Sequence, residues 1–201
     1  MAVLSYFETY LSSVVSLAIE SDLGLIYSIP KRIDGIMVLK YGGDNEYSFY
    51  DKSELITKGT WMKRISYYQK IFGTVPSILS SNVADLEKMR NIRNNVAHSF
   101  GRDIDKTRAR ETVEMLPIER LSEVRLQKFM ELITKISKAI DYQLLNNHIG
   151  EFELIHFYHK NKQDLELNHE IQDLKTKINT LYTKNRNHEF CKGLIDYYDA
   201  I

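Results

Sequence analysis

The sequence predicts a mainly α-helical protein that carries one small β-hairpin. Apolar residues recur at spacings of three and four along most of the chain, which is typical of helices that bury one face. Only three prolines and nine glycines occur among the 201 residues, which leaves room for long helices. One segment, IMVLKYGGDNEYSFYD, instead sets apolar and aromatic runs on either side of a glycine-rich turn, as a hairpin does. This length suffices for one well-packed core, so we expect a single domain over residues 1–201.

Composition and charge narrow the class of protein and its location. Lysine and arginine balance aspartate and glutamate, so the net charge is zero and the chain as a whole is not a nucleic-acid coating protein. Cys191 is the only cysteine and cannot form an intrachain disulfide, which favours the reducing cytoplasm. The apolar start, residues 2–22, lacks a basic leader and is interrupted by Glu8. We therefore expect neither a signal sequence nor a membrane span.

Helical periodicity places the first elements. We expect a helix over residues 2–22, where one apolar face is formed by Leu4, Phe7, Leu11, Val14 and Ala18. The hairpin is expected near residues 36–51, and it must pack on helices because an isolated hairpin is barely stable. Thr60 is positioned to cap a helix over residues 61–72, which Gly73 ends.

The second half of the chain predicts a long helix and a helical extension. Apolar residues fall on one side of a helix over residues 122–147, namely Val124, Phe129, Ile133, Ile136, Ile140 and Leu144. Gly150 ends this helix, and EFELIHFYHK forms a short one after it. We therefore expect a core bundle over residues 1–148 and a C-terminal helical extension over residues 150–201.

Within that extension, one stripe has the spacing of a coiled-coil seam. It consists of Leu167, Ile171, Leu174, Ile178 and Leu181, at alternating steps of four and three. The stripe packs either within its own chain or against a second copy or another partner. We expect the first, because the stripe is shorter than the three to four heptads that indicate a coiled coil.

The segment RNIRNNVAHSFGR places polar residues on a helix that otherwise buries an apolar face. At about 100° per residue, Arg93 falls in the middle of the apolar stripe formed by Leu86, Met89, Val96, Ala97 and Phe100. A guanidinium in such a stripe must meet an anion, a polar cleft or a neighbouring chain. A second stripe holds Asn94 one turn before His98, where its amide can orient the imidazole. The alternative is that both are surface groups, with His98 complementing the dipole at the helix end.

The pattern R-N-x-x-x-H in a helix resembles the hallmark of the HEPN superfamily. In that family an arginine, usually followed by a polar residue, precedes a histidine by a short spacer. Arg93, Asn94 and His98 match, with four residues between Arg93 and His98. The resemblance implies a HEPN-like helical bundle, to which the hairpin and the C-terminal extension are additions. It also implies a homodimer in which two motif helices face each other across a shared cleft.

The activity that the resemblance implies is metal-independent RNA cleavage, with Arg93, Asn94 and His98 as catalytic residues and no cofactor. Many such proteins are toxins or anti-phage effectors. The chemistry suits the side chains, because RNA carries a 2′-hydroxyl next to each phosphate and histidine titrates near neutral pH. An arginine stabilises the charge on the phosphorane. The expected products carry a 2′,3′-cyclic phosphate and a 5′-hydroxyl.

Basic residues around the motif are the expected RNA-binding surface. Residues 88–110 hold seven basic and two acidic residues in a chain with no net charge. Beside the motif we assign RNA binding to Arg90, Arg102, Lys106, Arg108 and Arg110, although such a run is commonly only a solvated face.

Two other readings of the motif stay open. One is a non-catalytic HEPN-like module that binds an antitoxin, a nucleotidyltransferase or another partner. The other is a helical scaffold in which the motif occurs by chance. A metal site is not expected, because the pairs His156–His159 and His188–Cys191 lack further ligands.

Overall fold

The computed structural model describes residues 2–31, 34–41, 50–99, 121–165 and 169–201, without the side chains of residues 50–52 and 97–99. Over these residues the protein is mainly α-helical, as predicted. Its α-helices are α1 (Ala2–Ser21), α2 (Gly35–Tyr41), α3 (Tyr50–Thr57), α4 (Trp61–Phe72), α5 (Ser77–Ser81), α6 (Val83–Ser99), α7 (Glu123–Leu144), α8 (Phe152–Asn161), α9 (Glu170–Leu181) and α10 (His188–Ala200). Short 3-10 helices cover Leu23–Tyr27 and Lys162–Asp164, and a π-helical turn covers Leu145–Ile149.

The predicted hairpin near residues 36–51 is wrong in its first strand, which is helical. The run IMVLKY forms most of α2, and α3 begins at Tyr50, while residues 42–49 lie outside the described residues. Asp34 starts α2 by accepting a hydrogen bond from the Ile36 amide at 2.8 Å. Ile36 is buried, so the apolar character of the run reflects its packing in the core. A short buried helix can have the same composition as a strand.

Contacts along the described residues divide the chain into two compact units. The first unit comprises Met1–Leu17 and Ser48–Asn146, and the second comprises Ala18–Tyr47 and Asn147–Ile201. The segment from Ala18 to Tyr47, which the sequence assigned to the core bundle, therefore groups with the C-terminal helices. The single domain over residues 1–201 stays a prediction.

The core of the first unit is formed by α1, α4, α6 and α7. Its buried side chains include Leu4, Phe7, Leu11, Trp61, Tyr68, Leu86, Met89, Ile92, Ile133, Ile136, Ile140 and Leu144. Phe7 stacks on Trp61 with 5.7 Å between the ring centres. The Tyr10 hydroxyl donates to the Asp141 carboxylate at 2.6 Å, which ties α1 to α7.

The second unit packs α8, α9 and α10 together. In the heptad stripe, Leu174 and Ile178 have no exposed surface, Ile171 is half-buried, and Leu181 is exposed. Leu167 lies outside the described residues. The part of the stripe on α9 is therefore buried inside the second unit, which favours packing within the chain over a seam with another copy.

Helix α1 differs from expectation in one respect. Its 20 residues are apolar and long enough to cross a membrane, by length and composition. A core helix of a soluble protein passes the same test, and the buried face of α1 carries Leu4, Phe7, Leu11 and Val15. The length criterion thus does not separate the two kinds of helix here.

Truncating the buried position of the heptad stripe is expected to destabilise the protein strongly. Ile178→Ala leaves a cavity and should lower the free energy of unfolding by about 2–5 kcal/mol. The half-buried Ile171 on the same helix provides a matched control, and Ile171→Ala should cost less than half as much. Urea unfolding followed by circular dichroism measures both. Unchanged stability together with a changed mass in light scattering would show instead that Ile178 faces another chain.

Candidate active site on helix α6

Helix α6 is anchored to α4 through Glu87. The backbone N–H of Trp61, the first residue of α4, donates to the Glu87 carboxylate at 2.9 Å. The predicted boundaries of α4, Thr60 and Gly73, are correct, but the Thr60 side chain makes no capping hydrogen bond. Glu87 supplies the acceptor in its place, and a carboxylate at a helix N-terminus is favoured by the dipole.

Arg93 contacts an anion of its own chain. Its Nη1 pairs with the carboxylate of Glu8 on α1, and its Nε and Nη2 donate to the Asn94 side-chain oxygen at 3.4 and 3.3 Å. The side chain keeps 26% of its surface exposed. The guanidinium is thus held by Glu8 and Asn94, and the side chain stays partly exposed.

Glu8 also binds a second arginine, Arg64 of α4. Arg64 Nη1 donates to the other Glu8 oxygen at 2.8 Å, and its Nε donates to the Gly59 carbonyl at 3.1 Å. The guanidinium lies 4.5 Å from the centre of the Trp61 ring, and the residue is only 3% exposed. Burial lowers the pKa of Arg64, Glu8 opposes this, and the neighbouring Arg93 adds to it.

Glu8, Arg64 and Arg93 form what we call the Glu8 cluster, and its charges do not cancel. Two guanidinium groups share one carboxylate, which leaves one positive charge in excess. Because Arg64 is buried and Arg93 is partly exposed, the excess is accessible to an anion at Arg93.

Arg90, expected to bind RNA, is paired with Glu87. Its Nε donates to the Glu87 carboxylate at 2.8 Å, and its Nη2 donates to the Asn91 side-chain oxygen at 3.1 Å. Burial acts to raise the pKa of Glu87, but the hydrogen bonds from Arg90 and the Trp61 amide outweigh it and lower the pKa. The charge of Arg90 is therefore compensated, unlike the charge in the Glu8 cluster.

The remaining predicted site residues are only partly described. Arg93 and Asn94 lie together, and the backbone of His98 belongs to the same helix, α6. The His98 side chain, and with it the expected contact to Asn94, lies outside the described residues, as do Arg102, Lys106, Arg108 and Arg110.

Glu8 and Arg64 are site residues that the sequence analysis did not select. Both were detectable as charges within apolar stripes: Glu8 is the only charged residue in residues 2–19, and Arg64 lies on the face of Trp61 and Tyr68. Isolated charges of opposite sign on two buried faces indicate a partner for each. No group of three or more His, Cys, Asp or Glu side chains in the described part of the chain is arranged to hold a metal ion.

Comparison with known proteins adds no relative. No family model matches this chain, and no curated protein and no solved structure matches it. The HEPN resemblance therefore depends on the motif of Arg93, Asn94 and His98 alone.

Proposed function

We propose that the protein is a metal-independent endoribonuclease of the HEPN type, with Arg93, Asn94 and His98 as its catalytic residues. The observation that carries the proposal is the partly exposed side chain of Arg93, whose guanidinium pairs with Glu8. It bears the excess charge of the Glu8 cluster and lies on the same helix as His98. An RNA phosphate is the anion that such a group would bind.

In this reaction the 2′-hydroxyl of RNA attacks the adjacent phosphate and displaces the 5′-oxygen of the next nucleotide. His98 takes the proton from the hydroxyl or gives one to the leaving oxygen. Arg93 stabilises the negative charge of the phosphorane, and Asn94, which contacts Arg93, helps to orient these groups. The products carry a 2′,3′-cyclic phosphate and a 5′-hydroxyl.

The proposal includes a homodimer, because each chain supplies one such histidine and the reaction has two proton transfers. Two copies of α6 would face each other across a shared cleft. Arg90, Arg102, Lys106, Arg108 and Arg110 would bind the RNA backbone. A cytoplasmic toxin or anti-phage effector is the role that fits this activity, with an antitoxin or another partner restraining it.

The direct test is cleavage of total RNA by the purified chain in the presence of EDTA. Gel filtration fractions should be assayed separately, with the mass of each fraction measured by light scattering. We expect activity in the fractions of dimer mass. One product end should carry a 2′,3′-cyclic phosphate that phosphatase does not remove, and the other should be a 5′-hydroxyl without phosphate. A requirement for magnesium, or activity confined to a monomer, would contradict this mechanism.

A non-catalytic interaction module is the second candidate, and the ion pair between Arg93 and Glu8 favours it. Through this pair the arginine also has a structural role, linking α6 to α1. If the EDTA assay shows no cleavage, co-purification of an antitoxin or a nucleotidyltransferase with the chain would support the module.

A further inference from the structure

A cleft of about 400 Å³ lies in the second unit, whereas the proposed catalytic residues belong to the first unit. It is lined by the C-terminal end of α1, the segment before α2, and the start of α8. Its volume falls in the range of about 300–1,000 Å³ that is usual for small-molecule sites.

Two aspartates face each other at this cleft. Asp22 and Asp34 both line it and form an antiparallel β-bridge, the one bridge outside helices in the described residues. Side chains of bridge partners project to the same face, with Cβ atoms about 4.5–5.5 Å apart. Two carboxylates in this position repel each other, so a cation near both would be stabilised.

Both carboxylates are fixed by hydrogen bonds. Asp22, which is 4% exposed, accepts from the Lys31 backbone N–H at 2.7 Å and pairs with His148 Nδ1 at 2.8 Å. Asp34 accepts from the Ile36 amide at 2.8 Å and from the Tyr197 hydroxyl at 2.7 Å. The site is therefore built before any ligand arrives, and binding would cost little side-chain entropy.

The groups that hold Asp34 do not neutralise it. A backbone amide and a phenol carry no net charge, and the hydrogen bond to Asp34, with burial adding to it, raises the pKa of Tyr197 to about 12. Tyr197 thus stays a neutral donor at physiological pH. Each Asp34 oxygen accepts one hydrogen bond from a described residue and keeps acceptor capacity for a second.

The charges of the lining leave an acidic excess. Asp22 pairs with His148, whereas Asp34 forms no ion pair with any described residue. A third carboxylate of the lining, Glu151, is balanced by Arg186 at 2.6 Å. Among the described residues, the Asp34 carboxylate is therefore left without a counter-ion, and the electrostatic field of the cleft favours a single positive charge.

The rest of the lining is apolar. Ile36, Ile149 and Phe152 are buried beside the cleft, and Met37 and Ile155 complete this wall. A bare metal ion would leave the apolar wall exposed to water. In the described residues no three ligating side chains converge on one point. An organic cation would cover the wall and gain from its burial.

We propose that the Asp22–Asp34 cleft binds a small organic monocation, an ammonium group on a compact apolar body. The ammonium lies between the two carboxylates and donates to their remaining lone pairs. The apolar body packs against Ile36 and Phe152. Free amines of this kind, rather than lysine side chains of a partner protein, fit a cleft of about 400 Å³ that can enclose a whole ligand.

Calorimetric titration of the full chain with benzylamine tests this at about pH 8, where the amine is charged. Benzyl alcohol has the same shape without the charge. We expect saturable binding of benzylamine with a Kd of about 1 mM or below, and binding of benzyl alcohol at least ~10-fold weaker. Equal affinity for the two compounds, or no saturable benzylamine binding, would overturn the proposal.

Two variants locate the ligand. Asp34→Asn keeps an acceptor for the Ile36 amide, since asparagine caps helices as well as aspartate does, and it should weaken benzylamine binding about tenfold. Tyr197→Phe frees an acceptor on Asp34 and should bind benzylamine at least as tightly as the unchanged chain.

Asp164→Asn is the matched control, because Asp164 is exposed, belongs to the same unit and does not line the cleft. It should leave the affinity unchanged. Thermal melting verifies that each variant folds. If Asp34→Asn does not fold, the two other variants and the pair of ligands still decide. Undiminished benzylamine binding by folded Asp34→Asn, or weaker binding by Tyr197→Phe, would contradict the proposed position of the ammonium.

Discussion

Replacing His98 by alanine is expected to abolish RNA cleavage without changing the fold. His98 lies in the last turn of α6, which ends at Ser99, so the substitution changes no helix interior. A general acid or base contributes about 10²–10⁴-fold to a rate, and in the proposed dimer both proton transfers depend on this histidine. The rate in EDTA should therefore fall by at least about 10²-fold, measured with a fluorescent RNA under single-turnover conditions.

The control for this variant is His188→Ala, at the exposed first position of α10. It removes an imidazole from the second unit and should leave the cleavage rate unchanged. If His98→Ala retains full activity, His98 is not the proton carrier and the proposed mechanism is wrong. Loss of activity in both variants would show that the loss is not specific to His98, which would contradict its assignment as the proton carrier.

The sequence was sufficient for helix boundaries where local signals mark them. Helix α4 runs from Trp61 to Phe72 as predicted, because Gly73 adopts a positive φ of 75° that other residues rarely take. The predicted buried face of α1 is wrong at one position, since Val15 is buried and not the neighbouring Val14. Periodicity defines a helix well and its exact buried edge less well.

The hairpin shows what a short apolar run does not specify. IMVLKY has the composition of a strand. It is helical because Asp34 caps its start and because the surrounding core buries Ile36. The second of these is tertiary and does not appear in the local sequence. The composition of these six residues predicted a strand, because composition alone does not distinguish a short buried helix from a strand.

The sequence predicted that Arg93 needs an anionic partner, but it did not predict which residue supplies that anion. The position of Arg93 in an apolar stripe called for an anion, and Glu8 supplies it from 85 residues away in the sequence. Nothing local to either residue pairs them, because α1 and α6 meet only in the folded first unit. Arg64 was hidden for the same reason, although its place between Trp61 and Tyr68 on α4 indicated burial.

The Glu8 cluster also predicts losses of stability of very different size for two substitutions within it. In Arg93→Ala, Glu8 and Arg64 still form a pair of opposite charges at 2.8 Å. Since Arg93 is partly exposed, its loss should lower the free energy of unfolding by no more than about 1 kcal/mol. Arg93→Ala is then a clean test of catalysis, because activity should fall strongly while stability changes little.

Glu8→Gln is expected to destabilise the protein far more than Arg93→Ala does. It leaves Arg64, which is 3% exposed, without the carboxylate that pairs with it and next to a second guanidinium. Removing one partner of a buried ion pair costs about 3–5 kcal/mol, and glutamine restores only a neutral hydrogen bond. Urea denaturation of both variants, with the unchanged chain as reference, measures the difference.

A second substitution separates the buried charge from simple loss of packing. In Glu8→Gln with Arg64→Met, the uncompensated guanidinium is replaced by an apolar side chain of similar length that can still lie on the Trp61 ring. The double variant should recover most of the stability that Glu8→Gln loses, because a buried ion pair is commonly replaceable by apolar groups at little cost. A double variant no more stable than Glu8→Gln alone would show that Glu8 matters for its packing and not for its charge. Equal costs for Glu8→Gln and Arg93→Ala would show that Arg64 is not the group whose burial Glu8 compensates.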